Sequence, residues 1–411
     1  MGEETKKAVE NFALPYHHTN LQLIRAMVLV KKAAARTYQR ILSEKKELYK
    51  RIEYACDRIL SDIKIEWFPT CALQGGAGTS TNMNVNEVIA ELAGAHPLDD
   101  VNRGQSTNDV YPTALRIAAV WQLRNLSDSA AKLQQALQEK ENEFDHIKKL
   151  GRTELMDAVP IRLGEEFGAY AQAISRDRWR LYKVEERLRQ INLGGTAVGA
   201  GNNADRKYQA FVIEELKELT GIGLARAEYP MDITQNQDVF VEVSGLLKAM
   251  AVNLIKIAND LRLMNSGPYG GIGELHLKPM QTGSTIMPGK VNPVIPEMVI
   301  QTSIKVMAND SAISMAASHG EFELNAFMPL IADSLLESLE LLTAATDIFR
   351  EKCVDVLEAC PERCRHLLEN SYAFATEYTQ YLGYDTVSKI VKENQGDVKK
   401  IHDILENMKK A

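Results

Sequence analysis

Apolar positions recur at spacings of three and four over unusually long stretches in the middle of this chain, with no internal proline to break them. Five segments carry the pattern: 113–150, 161–192, 238–265, 296–318 and 329–352. The last two have proline only at their starts, where a helix tolerates it. In the last, Ile331, Leu335, Leu339, Leu342, Ala345 and Phe349 make one apolar stripe, as a single helix face requires. A helix of about 30 residues is ~45 Å long, and five approaching that length exceed what one compact domain of ~150 residues holds. The pattern therefore predicts a central bundle of very long helices. Strand signals are weak throughout. The stretches 304–308 and 312–317 place Ala, Met and Ile where a monomer would place polar groups, so burial against other subunits is expected.

Between these helices lie loops rich in glycine, hydroxyls and amides and poor in carboxylates: 75–84, 102–109, 151–154, 194–201 and 282–293. Such loops hold many neutral hydrogen-bond donors, an inventory suited to a small dicarboxylate. Ser, Thr and Asn also favour turns and helix caps, so any one loop alone has that simpler reading.

Composition narrows the class. A chain of 411 residues suggests two or three domains. Its net charge of −7 argues against nucleic-acid binding, which calls for a basic face. No apolar core follows Met1–Lys7 and no run of ~18 apolar residues occurs, so neither a secretory signal nor a membrane span is expected, and the cytoplasm is the expected compartment. The five cysteines are scattered and odd in number, which suggests free thiols. Cys360, Cys364 and His366 lie close in sequence but lack the ligand count of a zinc site, so they read as one face of a helix and no metal is expected.

One segment goes further. Gly283-Ser-Thr-Ile-Met-Pro-Gly-Lys-Val-Asn-Pro293 resembles the signature G-S-S-x-M-P-x-K-x-N-P of the aspartase/fumarase superfamily. The resemblance extends to Ala77-Gly-Thr-Ser-Thr-Asn, Gln105-Ser-Thr-Asn-Asp-Val, Gly151-Arg-Thr-Glu-Leu-Met-Asp-Ala-Val-Pro, Gly320-Glu-Phe-Glu-Leu-Asn325 and the stretch 370–384, and so covers most of the chain. It implies an all-α fold of three domains, taken as 1–110, 111–353 and 354–411. It also implies a homotetramer with a twenty-helix core and active sites each shared by three subunits.

The reaction so implied is anti elimination of an amine from L-aspartate or a similar amino acid, leaving fumarate. Its hard step is removal of a weakly acidic Cβ proton, with charge building on the neighbouring carboxylate as an aci-carboxylate that the site must bind better than the ground state. By the resemblance Ser284 is the general base, and Thr79, Ser106, Thr107 and Thr285 stabilise that carboxylate. Lys290 and Asn292 hold the other carboxylate, while Asn108 and Thr153 stand near the leaving amine. Residues 281–287, ending at Met287, read as a lid beside the substrate. No metal or organic cofactor is called for.

Ammonia release is favoured over water release by Thr81 and by the segment 233–244. Glu154 is the main departure, since relatives carry His or Gln beside the threonine. With Glu297 it gives two carboxylates expected to face one another and to make the amine end of the pocket anionic, unless Glu154 turns outward. A fumarase-type hydratase, a lyase for an amino-bearing aspartate and a catalytically silent relative are the other readings. Intact Ser284, Lys290, Asn292, Thr107 and Asn108 stand against silence.

Overall fold

A computed structural model gives the fold and describes residues 2–283 and 286–410; Ser284 and Thr285 lie outside the described residues. The five long helices are Thr107–Glu143, Leu163–Leu188, Asp238–Met264, Val294–Ala317 and Met328–Phe349. With shorter helices beside them and, among the described residues, only short two-stranded pairings, the chain is all-α, as the resemblance implied. The stripe Ile331, Leu335, Leu339, Leu342, Ala345 and Phe349 is buried along its whole length. Among the described residues no helix is long and apolar enough to cross a membrane.

The first long helix departs from expectation at both ends. It begins at Thr107, ahead of Pro112, and stops at Glu143. The remaining residues form an antiparallel hairpin of Lys148–Thr153 and Met156–Arg162. Phe144, Ile147 and Leu150 are all buried at a spacing of three, which mimics a helix stripe. That coincidence hides the hairpin in the sequence. Glu154 and Leu155 form its turn with φ of 53° and 66°, the left-handed region that tight two-residue hairpin turns require.

The chain divides into two compact units, one of residues 1–128, 177–251 and 302–344, the other of 129–176, 252–301 and 345–411. In the first unit the helix Leu21–Ile41 is buried nearly all round, from Met27 to Ala35 without a break. A helix buried on nearly every side belongs at the centre of its unit, and here that burial takes in Lys31 and Lys32. Tyr38 stacks between Tyr49 and Tyr208, with ring centres 5.1 and 5.0 Å away, tying that helix to Lys46–Ser61 and Arg206–Thr220. In the second unit the hairpin strand Lys148–Thr153 packs on the helix Pro361–Glu369, and the last three helices close their own small core around Tyr378, Ile401 and Leu405. All five cysteines are free.

Candidate active site

The segment Ser106-Thr-Asn-Asp109 starts the longest helix, and its residue types explain why the helix starts there. Ser106 Oγ accepts the Asn108 N–H at 3.2 Å, while Asp109 Oδ1 reaches back to accept the Ser106 N–H at 2.9 Å. This reciprocal arrangement is a capping box with Asp in the returning role. Thr107 Oγ1 accepts from Asn82 Nδ2 at 3.2 Å. Both hydroxyl oxygens thus take N–H donors from the protein, and among the described residues neither hydroxyl hydrogen has an acceptor, which leaves each for a ligand. Two hydroxyls with hydrogens to give, at the positive end of a 37-residue helix, suit a carboxylate.

Pro112 lies inside this helix and cannot donate to the carbonyl of Asn108 four residues back. Asn192 Nδ2 takes that freed carbonyl at 3.0 Å. Asn108 is held a second time through its side chain, whose Nδ2 donates to the Ala197 carbonyl at 2.8 Å. Thr79 opens the helix Thr79–Ala93 and is exposed, but its hydroxyl donates to the Gly76 carbonyl at 2.7 Å and must turn to serve a ligand.

Beneath these side chains lies a buried polar layer. Lys31, fully buried, donates to Asn102 Oδ1 at 2.8 Å and to Gln105 Oε1 at 3.0 Å. Asn82 and Asn86 also donate to Asn102 Oδ1, each at 3.2 Å. Burial pushes the Lys31 ammonium down to about 7 against the pull of Asp109. It pushes the Asp109 carboxyl up to about 6, against the N–H groups of Ser106, Thr196 and Gly194 and the charge of Lys31.

The second unit carries the other candidates. Thr153 and Glu154 are exposed at the hairpin tip. The base is pinned by Glu274, wholly buried, whose carboxylate pairs with Lys149 at 2.8 Å and Arg152 at 3.0 Å. Lys149 also meets Glu166 at 2.8 Å, and burial raises the Glu166 carboxyl above its ordinary range. Glu154 lines a cavity of about 410 Å³ together with Arg152, Glu166, Tyr170 and Asp260. Glu297 sits in the first turn of Val294–Ala317, with Arg262 at 3.8 Å as its ion-pair partner within the chain. Met287, Lys290 and Asn292 are exposed ahead of that helix. A Cβ on Gly283 would lie 1.7 Å from the Lys290 carbonyl oxygen, so only glycine lets the segment fold back on Lys290.

Ser106, Thr107 and Asn108 are therefore gathered at one helix start and Thr153 with Glu154 at one turn, whereas Ser284 and Thr285 fall outside the described residues. Sequence reasoning missed the supporting residues Lys31, Asn82, Asp109 and Glu274. Lys31 did leave a trace, a lysine pair inside the apolar run Val28-Leu-Val-Lys-Lys-Ala-Ala-Ala35, and Asp109 left the S-x-x-D spacing.

Residues 1–308 match a protein family described as Lyase. An aspartate ammonia-lyase of Pseudomonas canavaninivorans is 44% identical over 95% of this chain and 86% of its own length. That of Escherichia coli K12 is 39% identical over 97% and 87%. Among solved structures, a class II fumarase from Schistosoma mansoni superposes with a TM-score of 0.95 at 30% identity, covering 98% of this chain and 91% of its own.

Proposed function

The chain belongs to the aspartase/fumarase family of lyases, and from that premise we propose that it releases ammonia from L-aspartate to give fumarate, working as a cytoplasmic homotetramer whose active sites are each shared by three subunits. The observation that carries this reading is the start of the Thr107–Glu143 helix, where the hydroxyls of Ser106 and Thr107 keep their hydrogens for a carboxylate. Five free thiols fit a reducing compartment. Ile304 and Met315, exposed on Val294–Ala317, are apolar positions that a neighbouring subunit would cover.

In this mechanism Ser284, as its oxyanion, takes the Cβ proton. The electron pair left on Cβ is held as an aci-carboxylate by the donors of Ser106, Thr107, Thr79 and Thr285. That pair then forms the C=C bond as the Cα–N bond breaks, and the nitrogen leaves as ammonia. Lys290 and Asn292 bind the α-carboxylate, and Met287 belongs to the lid that covers them. Asn108 and Thr153 face the amine, with Glu154 and Glu297 adding negative charge at that end. The chain's own residues supply every group these steps use.

The test is fumarate absorbance with L-aspartate and, separately, with L-malate. Turnover of aspartate that vanishes in Ser284→Ala is expected. Turnover of malate alone would make the protein a hydratase, and an active Ser284→Ala variant would remove serine as the base.

A further inference from the structure

The glycine-rich segment 194–201 has no part in the chemistry above, yet it is tied to the residue that faces the amine. Gly194 adopts φ of 88° and Thr196 φ of 58°. In this left-handed conformation both backbone N–H groups point at one atom, Asp109 Oδ2, each at 3.0 Å. Convergent N–H groups of this kind form a nest for an anion, and here the anion is a wholly buried side chain of the same chain. The other oxygen of Asp109 holds the Ser106 N–H. A single carboxylate therefore locks the start of the long helix to the glycine-rich segment.

The lock bears on Asn108. The Ala197 carbonyl, next in sequence to Thr196, accepts from Asn108 Nδ2 at 2.8 Å. A carbonyl can only accept, so the NH₂ group of the amide faces the segment and its oxygen is the end left for a ligand. The Asn108 carbonyl, freed by Pro112, is held by Asn192 at 3.0 Å. The side chain is thereby fixed in position and in polarity. An amide oxygen is an acceptor, suited to an ammonium group and unsuited to a carboxylate.

We propose that Asp109 is a positioning residue which, through the 194–201 segment, orients the Asn108 amide so that its oxygen receives the ammonium of the substrate. The proposal rests on the ammonia-lyase reading above. It separates the amine from the carboxylates, because loosening the lock disturbs recognition of one and spares the other.

The experiment runs the reaction towards aspartate with full-length enzyme, varying ammonium at saturating fumarate and fumarate at saturating ammonium. In Asp109→Asn the new NH₂ cannot accept, so one side of the lock opens while the side-chain shape is kept. The KM for ammonium is expected to rise by about tenfold or more, as loss of one charge-assisted hydrogen bond implies, and that for fumarate by less than about threefold. A melting curve confirms that the variant is folded. Should Asp109→Asn fail to fold, Gly194→Ala opens the lock from the other loop, since alanine is strained at φ of 88° and its Cβ would meet Gln209 at 3.3 Å; the same ratio is read. Equal rises in both constants, or no rise in either, overturn the proposal and leave the function standing. A wild-type enzyme that makes no aspartate from fumarate and ammonium removes the function, and the proposal falls with it.

Discussion

Two lysines of this chain are almost wholly inaccessible to solvent, and they are held in opposite ways. Lys149 lies between two carboxylates, Glu166 and Glu274, and Glu274 is shared with Arg152. Lys31 hydrogen-bonds to neutral amide oxygens of Asn102 and Gln105 and feels Asp109 only through space. The first arrangement offsets the cost of burying charge with opposite charge at contact distance. The second leaves much of that cost standing, which is why Lys31 is pushed down to about 7. Each supports one set of candidate site residues: Lys149 and Glu274 the base of the hairpin under Thr153 and Glu154, Lys31 the loop under Ser106 to Asn108. The contrast teaches that a scaffold held by paired charges can be built for rigidity. One held by amides around an unpaired charge is tuned by that charge.

Removing the charge shared at the hairpin gives the largest effect expected from this contrast. Glu274→Ala leaves Arg152 unpaired and Lys149 half-paired in the interior, and stability should fall by about 3–5 kcal/mol, read as lower midpoints in thermal and urea melts. A loss below ~1 kcal/mol, the range of an exposed pair, would make the two anchors equivalent and end the comparison. Lys31→Met should act mainly on catalysis. Asn102 and Gln105 lose a donor, so kcat/KM should drop by ~10–100-fold, the worth of about 1.5–3 kcal/mol, while the melting point moves less because an unpaired buried charge is also removed. Unchanged kcat/KM would show that the loop does not depend on this lysine.

The pH dependence sharpens the same point. Burial lowers Lys31 from its ordinary 10.5 to about 7 in the folded chain. A base with a lowered folded pKa contributes stability that is present above its unfolded value and lost as pH falls through the folded one. Wild-type stability measured against Lys31→Met should therefore climb between pH 7 and 10.5. Asp109, raised from 3.8 to about 6, runs the other way: its contribution is present below 3.8 and is lost as pH rises through 6. A flat difference for Lys31 across that window would mean that the lysine is solvated. The smallest effect belongs to the hairpin turn. Leu155 has φ of 66°, so Leu155→Gly relieves a left-handed side chain. It should stabilise by about 0.5–1 kcal/mol with kcat unaltered; a loss of kcat would show that the tip is held by more than its base.

Much of the site was legible as motif. Gly283 to Pro293 and Ser106 to Asp109 stand out because their chemistry is local: a glycine for a close approach to the Lys290 carbonyl, a serine and an aspartate three apart for a helix start. The hairpin was not legible, since Phe144, Ile147 and Leu150 repeat at a spacing that serves a helix as well. Nor was the task of Pro112, which is clear only once Asn192 is seen on the carbonyl it vacates.

The sequence by itself determined the five long helices and the order of the polar loops, because periodicity and capping are properties of neighbouring residues, and its family motifs implied the all-α class. Tertiary structure decided which side chains support the loops. Lys31 lies 71 and 74 positions from its acceptors, Asp109 lies 85 and 87 from the Gly194 and Thr196 N–H groups it holds, and Glu274 lies 122 from Arg152. Whether a charge so placed is paired, and therefore where it titrates, depends on groups that only folding brings within hydrogen-bonding distance.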